Sequence, residues 1–252
     1  MNNSKLIANG QMVNNHKLSL IIPVYNEEAK IKGVIQAARQ LDEISEIIII
    51  DDGSDDATVA IVEEEITLDS RIRLIRHPQN LGKGQAVFTG WQAAHGTYLI
   101  LLDGDLLGLK PENIRHLYEP VIEEEMDMTV GVFRNGYWRT DISQRVAPWL
   151  SGQRCLRYPL LSELSLEAAA GYGIETALTI AAQTKGWQYK YVPLDGVWHI
   201  PIEDRRGGFG GVSAKSKMYL QIIRAWYLSR GLKNSSGKPV GENNKGYHLD
   251  KR

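Results

Sequence analysis

Between residues 17 and 135, short apolar runs rich in β-branched residues alternate with segments of helical period, and this alternation restricts the chain to few folds. Strands are predicted over Leu18 to Val24, Glu46 to Ile50, Ile72 to Arg76, Tyr98 to Leu102 and Met126 to Phe133. Between them the spacing predicts helices from about Glu27 to Leu41, Asp56 to Ile66 and Gly84 to Ala94, and one opened by Pro111, where a missing N–H costs little. Strands separated by helices imply right-handed βαβ crossovers, hence an α/β fold with a mostly parallel central sheet and helices on both faces. The unbroken run Ile47-Ile48-Ile49-Ile50 fits a strand buried on both sides.

The second half is less regular. A helix is predicted over Ile174 to Lys185, then a strand pair, Trp187 to Pro193 with Gly196 to Ile200. Arg205-Arg206-Gly207-Gly208-Phe209-Gly210-Gly211 is too rich in glycine for a stable element and reads as a mobile loop. The expected division is an unstructured segment 1–16, a domain 17–212 with halves 17–135 and 136–212, a helix 213–231 and a disordered tail 232–252. The 213–230 helix carries Met218, Ile222, Trp226 and Leu228 beside Lys215, Lys217 and Arg224. It has two readings: packing on its own domain or a second copy as a homodimer, which is the commoner case, or peripheral contact with a membrane surface.

Charge excludes some partners. With 29 basic and 30 acidic residues among 252, the chain has no global field for nucleic acid, so recognition of anions must be local. The lone Cys155 excludes an intramolecular disulfide and reads as a small packed residue rather than a nucleophile. Residues 1–16 lack the apolar core of a signal peptide, and no run approaches the roughly 18 apolar residues of a span. The expected location is cytoplasmic, at most peripheral at the inner face of a membrane.

In a parallel sheet the loops after the strands share one edge, where open α/β sheets bind ligands. Four such loops carry polar chemistry here: Pro23-Val24-Tyr25-Asn26-Glu27-Glu28, Asp51-Asp52-Gly53-Ser54-Asp55, His77 through Gly84, and Asp103-Gly104-Asp105. Capping accounts for Ser54, Asp55 or Asn26. It does not account for two aspartates after four isoleucines, or for Lys83 between two glycines. The Asp103-Gly104-Asp105 carboxylates are hard oxygen donors suited to Mg²⁺ or Mn²⁺, which keep positions for substrate phosphates. A nucleotide-sugar site would use all four loops: a carboxylate for the base, an aromatic against it, a lysine near phosphate and a metal on the diphosphate.

Ile22-Pro23-Val24-Tyr25-Asn26-Glu27, Asp51-Asp52-Gly53-Ser54, Asn80-Leu81-Gly82-Lys83-Gly84 and Asp103-Gly104-Asp105 together resemble family 2 glycosyltransferases of the Rossmann-like GT-A fold. The resemblance covers about residues 17–135 and extends more weakly to about 200. It implies that Pro23, Tyr25 and Glu27 line a nucleotide pocket and that Asp52, with Asp51, contacts the base. It also implies that Lys83 lies beside the nucleotide, that Asp103 and Gly104 approach the ribose or sugar, and that Asp105 holds the metal. The implied donor is a UDP- or GDP-sugar, with a single sugar moved to a polyprenyl phosphate, a small phosphorylated acid or a glycan.

Further residues follow from the same resemblance. His199 falls where many GT-A enzymes carry a third metal ligand. Glu175, in Gly171-Tyr172-Gly173-Ile174-Glu175-Thr176, is the leading candidate for general base, although the Glu-Asp pair of inverting members is absent. The Gly-Tyr-Gly-Ile-Glu run also resembles glucosyl-3-phosphoglycerate synthases, which retain anomeric configuration, and there Glu175 would hold acceptor or sugar instead. Gln153 and Arg154 are expected to face the acceptor, and Arg205 and Arg206 to meet phosphate or an anionic acceptor. Two rivals are a sugar-phosphate nucleotidyltransferase and a non-catalytic nucleotide-sugar-binding module. The acidic, glycine-free Tyr25-Asn26-Glu27-Glu28 loop argues against the first, and the retained Asp103, Asp105, Glu175 and His199 against the second.

Overall fold

A computed structural model describes residues 7–8, 11–12, 16–135, 148–162, 164 and 173–199. Arg205 and Arg206, the 213–230 helix and the 232–252 tail lie outside the described residues. Within the segment expected to be unstructured, β1 (Ile7–Ala8) and β2 (Gln11–Met12) pair as a short antiparallel hairpin.

The chain then alternates as expected: β3 (Leu18–Val24), α1 (Ile31–Arg39), β4 (Ile44–Asp51), α2 (Thr58–Leu68), β5 (Ile72–Arg76), α3 (Lys83–Ala93), β6 (Tyr98–Leu101), α4 (Pro111–Glu123) and β7 (Met128–Arg134). A 3-10 turn at Pro148–Leu150 leads into β8 (Arg154–Arg157), the short α5 (Tyr158–Leu161), α6 (Ile174–Lys185) and β9 (Tyr189–Asp195). The main sheet has 7 strands in the order β5-β4-β3-β6-β8-β7-β9. Every pairing is parallel except those of β8, which runs antiparallel to both β6 and β7. Among the described residues no helix is long and apolar enough to cross a membrane.

Period-two alternation explains the burial on both faces. Leu20, Ile22, Ile47 and Ile49 enter one core with Ile31, Val34 and Ile35 of α1 and Ile114 and Leu117 of α4. Ile21, Ile48 and Ile50 enter the other with Ala86 and Val87 of α3 and Ala177 and Leu178 of α6. Cys155 is fully buried in the first core, as its packed reading requires.

Two expectations need correction. β8 was not foreseen. The predicted strand pair over 187–200 is a single strand, β9, paired in parallel with β7. Beyond it, Gly196 at φ +75° turns the chain away, and Trp198 forms an isolated antiparallel bridge with Leu107. That bridge matters for the site, because it carries His199 toward the Asp103-Gly104-Asp105 loop.

Candidate active site

The C-terminal ends of β3, β4, β5 and β6 open on one edge, and the loops there are stitched to each other. Asn26, in the left-handed region at φ 55°, donates its N–H to Ser54 Oγ at 2.9 Å, and its Oδ1 accepts from Asp55 N–H at 3.0 Å. Glu28 and Asp56 exchange similar bonds, with Ala57 N–H on Glu28 Oε2 and Glu28 N–H on Asp56 Oδ2. Glu27 is mostly buried; its carboxylate pairs with Lys30 and its N–H donates to Thr58 Oγ1. Tyr25 is left 47% exposed at the mouth, available to lie against a planar ring.

Asp51 and Asp52, expected against the base, are instead enclosed. Asp51 Oδ1 accepts from Ser54 N–H at 3.1 Å. Asp52 Oδ1 and Oδ2 accept the N–H groups of Leu81 and Gly82 at 2.9 and 2.8 Å, and His77 Nδ1 lies 2.7 Å from Oδ1. The other nitrogen of His77 is 2.9 Å from Thr89 Oγ1. These donors tie Asp52 to the loop that precedes α3. Its effect is to fix the start of α3, where Lys83 stands. The His77–Thr89 tie went unread in the sequence, since His77 stood out only as the start of its loop and nothing marked Thr89 as its partner.

Lys83 is the centre of the edge. Its Nζ lies 2.5 Å from Asp103 Oδ1, at the end of β6, and 2.5 Å from Glu175 Oε1, in the first turn of α6. Burial opposes the ammonium charge, but the Asp103 and Glu175 carboxylates outweigh it and hold the Lys83 pKa above the usual lysine value. Burial likewise opposes the Asp103 carboxylate. The Lys83 ammonium, the Gln153 amide and, more weakly, His199 reverse that effect and hold its pKa below the ordinary range. Beneath the cluster a recess of about 10 Å³, room for about one water, is lined by Pro23, Leu102, Gly152 and Leu178 among others.

Gly104 has a packing reason to be glycine. A Cβ there would stand 2.5 Å from Val24 Cγ1, so the triplet can lie on the end of β3 only without a side chain at its centre. Asp105 is half-buried beyond it. The Leu107–Trp198 bridge, with N–H···O distances of 2.8 and 3.0 Å, holds the segment bearing His199, whose ring packs edge-on against Phe133. Among the described residues no three His, Cys, Asp or Glu side chains converge as a closed metal cage. A carboxylate and an imidazole at an open edge fit Mg²⁺ or Mn²⁺ that takes its remaining donors from a substrate diphosphate.

Gln153 and Arg154 are not placed as expected. Gln153 is 1% exposed, and both ends of its amide are taken by Asp103. Arg154 has no exposed surface, and its guanidinium bonds carbonyls and a hydroxyl inside the protein. Neither is free to meet an acceptor.

A mostly parallel sheet with carboxylates and a lysine gathered at the C-terminal ends of its strands is the architecture of α/β proteins that bind ligands at that edge. Residues 19–167 match the family Glycosyl transferase family 2, and the chain belongs to that family. A dolichyl-phosphate beta-glucosyltransferase of Dictyostelium discoideum is 39% identical over 111 residues, covering 40% of this chain and 34% of that protein. An undecaprenyl-phosphate 4-deoxy-4-formamido-L-arabinose transferase of Proteus mirabilis is 36% identical over 107 residues, covering 40% of this chain and 32% of that one. The chain thus spans about a third of the length of these relatives. A glucosyl-3-phosphoglycerate synthase of Mycobacterium tuberculosis is 29% identical over 195 residues, 65% of this chain and 60% of that protein. Its crystal structure with phosphoglyceric acid superposes at a TM-score of 0.65 with 24% identity, covering 88% of this chain and 82% of that one. That likeness shows the GT-A type of fold.

Proposed function

We propose that this protein is a metal-dependent glycosyltransferase that moves one sugar from a UDP- or GDP-sugar to an acceptor bearing phosphate. The observation that carries this reading is the Lys83 ammonium shared by Asp103 and Glu175 beside the Asp105 edge. Such a cluster offers hydroxyl-binding carboxylates and a positive charge at one point, the needs of a sugar bound next to a diphosphate. The relatives' names support the acceptor class, since they specify dolichyl phosphate, undecaprenyl phosphate and 3-phosphoglycerate. The tuberculosis synthase has been crystallised with Mn²⁺ and UDP, which supports the donor class and the metal.

In this reading Tyr25 and Pro23 bound the nucleotide, and the loop fixed by Asp52 presents Lys83. Asp105 and His199 would hold Mg²⁺ or Mn²⁺, which when bound supplies Lewis-acid stabilisation of the departing diphosphate. Asp103 and Glu175 hold sugar hydroxyls by accepting hydrogen bonds from them, and the Lys83 ammonium keeps Asp103 ionised. Of the two roles open to Glu175, the ion pair favours holding. The Glu175 carboxylate already receives one donor from Lys83, an arrangement suited to receiving further donors from hydroxyls.

The test is a thermal-shift screen of nucleotide sugars with and without Mn²⁺, since a ligand that binds only the native state raises apparent stability. A shift that requires both a UDP- or GDP-sugar and the metal is expected, followed by turnover of that donor. Asp105→Ala should remove metal-dependent turnover while the fold persists; undiminished turnover in that variant would sink the metal assignment.

A further inference from the structure

We propose that Gln153 and Arg154, neighbours at the start of β8, are positioning residues that set the two carboxylates on either side of Lys83. Gln153 fixes Asp103, and Arg154 fixes the helix start that carries Glu175. The proposal rests on the donor-site reading above and adds to it how the site's geometry is held.

Adjacent residues of a strand face opposite sides of the sheet. In the seven-stranded sheet β8 runs antiparallel to both its neighbours, β6 and β7, and Gln153 just before it and Arg154 at its start lie beside the site with one polar side chain on each face. Cys155 and Leu156 confirm the alternation, since they enter the two different cores.

The Gln153 contact is made at two points and admits one orientation. The Asp103 backbone N–H can only donate, so the amide end 2.9 Å from it is the oxygen. The amide nitrogen then faces Asp103 Oδ2, also at 2.9 Å. Oδ2 is thereby occupied and Oδ1 is directed to Lys83. A carboxylate held by backbone and side chain together has one rotamer, which is what a sugar-holding group requires.

Arg154 acts on the other carboxylate through the backbone. Its Nη2 donates to Trp149 O at 2.7 Å, Glu175 O at 3.0 Å and Thr179 Oγ1 at 3.0 Å, and its Nε to Ser151 O at 3.0 Å. These acceptors belong to the turn before β8 and the first turns of α6. Burial pulls the guanidinium pKa down to about 10, a cost that an apolar residue would avoid. What the arginine gains is a tie on the carbonyl of Glu175, the residue whose side chain meets Lys83. Between the two positioning residues, Gly152 leaves room for the cluster: a Cβ there would stand 2.6 Å from Lys83 Nζ and 2.8 Å from both Asp103 oxygens.

The experiment compares Gln153→Ala and Thr179→Val with wild type, because removing the fully buried Arg154 endangers folding. Two quantities are read: kcat with the nucleotide sugar, and the Kd of UDP and of GDP with Mn²⁺. Gln153→Ala should lower kcat about 10- to 100-fold, the usual effect of losing an orienting partner, with diphosphate affinity within about twofold of wild type. Thr179→Val should lower kcat about two- to fivefold with the same split, a smaller effect because Arg154 keeps its carbonyl partners. Unchanged kcat in a variant overturns its half of the proposal. A parallel fall in kcat and diphosphate affinity also overturns it, since general loosening would produce that. If the wild-type protein turns over no nucleotide sugar, the donor reading fails by itself. Crystal structures of wild type and Gln153→Ala then decide the positioning role: Asp103 should leave Lys83 in the variant, and an unmoved Asp103 refutes it.

Discussion

Both edges of the sheet carry a carboxylate cluster with a cation, and they are built to opposite ends. At the N-terminal edge Glu46 of β4 accepts from Ser19 Oγ at 2.5 Å, from His95 N–H at 2.6 Å and from Arg73 Nη2 at 2.6 Å. Ser19 Oγ in turn accepts from Gly96 N–H at 2.8 Å, so the cluster ties β3, β4, β5 and the start of β6 together. At the C-terminal edge one ammonium serves two carboxylates, and the lysine side chain remains 40% exposed. The first cluster is saturated by its own chain and reads as a staple. In the second the Lys83 ammonium is shared between Asp103, which also holds the Gln153 amide, and Glu175, at an open edge that hydroxyls of a ligand can enter. A charge cluster is therefore told apart as structural or functional by whether its donors and acceptors are already matched, not by its composition.

The largest expected effect comes from removing the shared cation. Lys83→Ala should lower nucleotide-sugar turnover by about 10²–10³-fold, the scale found when one preorganised electrostatic group is lost. Its thermal midpoint should fall less than that of Glu46→Gln, because the lysine side chain is 40% exposed and the carboxylates it leaves stand at an edge that water can reach. Steady-state turnover and thermal unfolding of the same preparation check the two halves. Equal loss of stability would make the site edge a staple like the other.

The converse variant is Glu46→Gln. It should destabilise by roughly 1–3 kcal/mol, because the amide end presents a donor where Arg73 or the His95 N–H needs an acceptor. Turnover per folded molecule should be unchanged. Urea unfolding gives the first quantity, and a fall in turnover beyond the loss of folded protein would contradict the contrast between the edges.

How far the sequence revealed these clusters follows from the kinds of residue that form them. The parallel core was legible because Ile47 to Ile50 is apolar at every position and Leu18 to Val24 at every position but Ser19, as burial on both faces requires. Asp103 was legible as a carboxylate at the end of an apolar run, and Lys83 as a lysine between two glycines. β8 was hidden because Arg154-Cys155-Leu156-Arg157 begins and ends with arginine, and a fully buried arginine is rare enough to mask a strand. Its partners, β6 and β7, lie far away in sequence, so no local period announces it. The roles of Gln153 and Arg154 failed for the same reason: polar residues near a site read as ligand contacts until their partners inside the protein are seen. Gly152 carried no signal, since the space it leaves belongs to residues of other segments. The second strand expected over Gly196 to Ile200 is replaced, in its described residues, by a turn at Gly196 that leads to a bridge with Leu107.

The smallest effect expected is a pH dependence at the N-terminal edge. Burial raises the cost of the Glu46 charge, but the Ser19 hydroxyl, the His95 N–H and Arg73 reverse this and leave its pKa below the ordinary glutamate value. The unfolded chain therefore binds a proton at this position at a higher pH than the folded one does. Between the two values the unfolded state carries more protons, so stability rises with pH there. The contribution is complete above the ordinary glutamate pKa of about 4.3 and is lost as pH falls through the lower folded value. Urea unfolding of wild type between about pH 5 and pH 2.5 should lose stability faster than Glu46→Gln, whose amide does not titrate. The two curves should converge as the acid limit is approached, because protonation removes from the wild type the charge that the substitution removes outright. Parallel curves across the window would mean that Glu46 keeps its ordinary affinity for the proton, and the staple would then owe its strength to packing rather than to its matched donors.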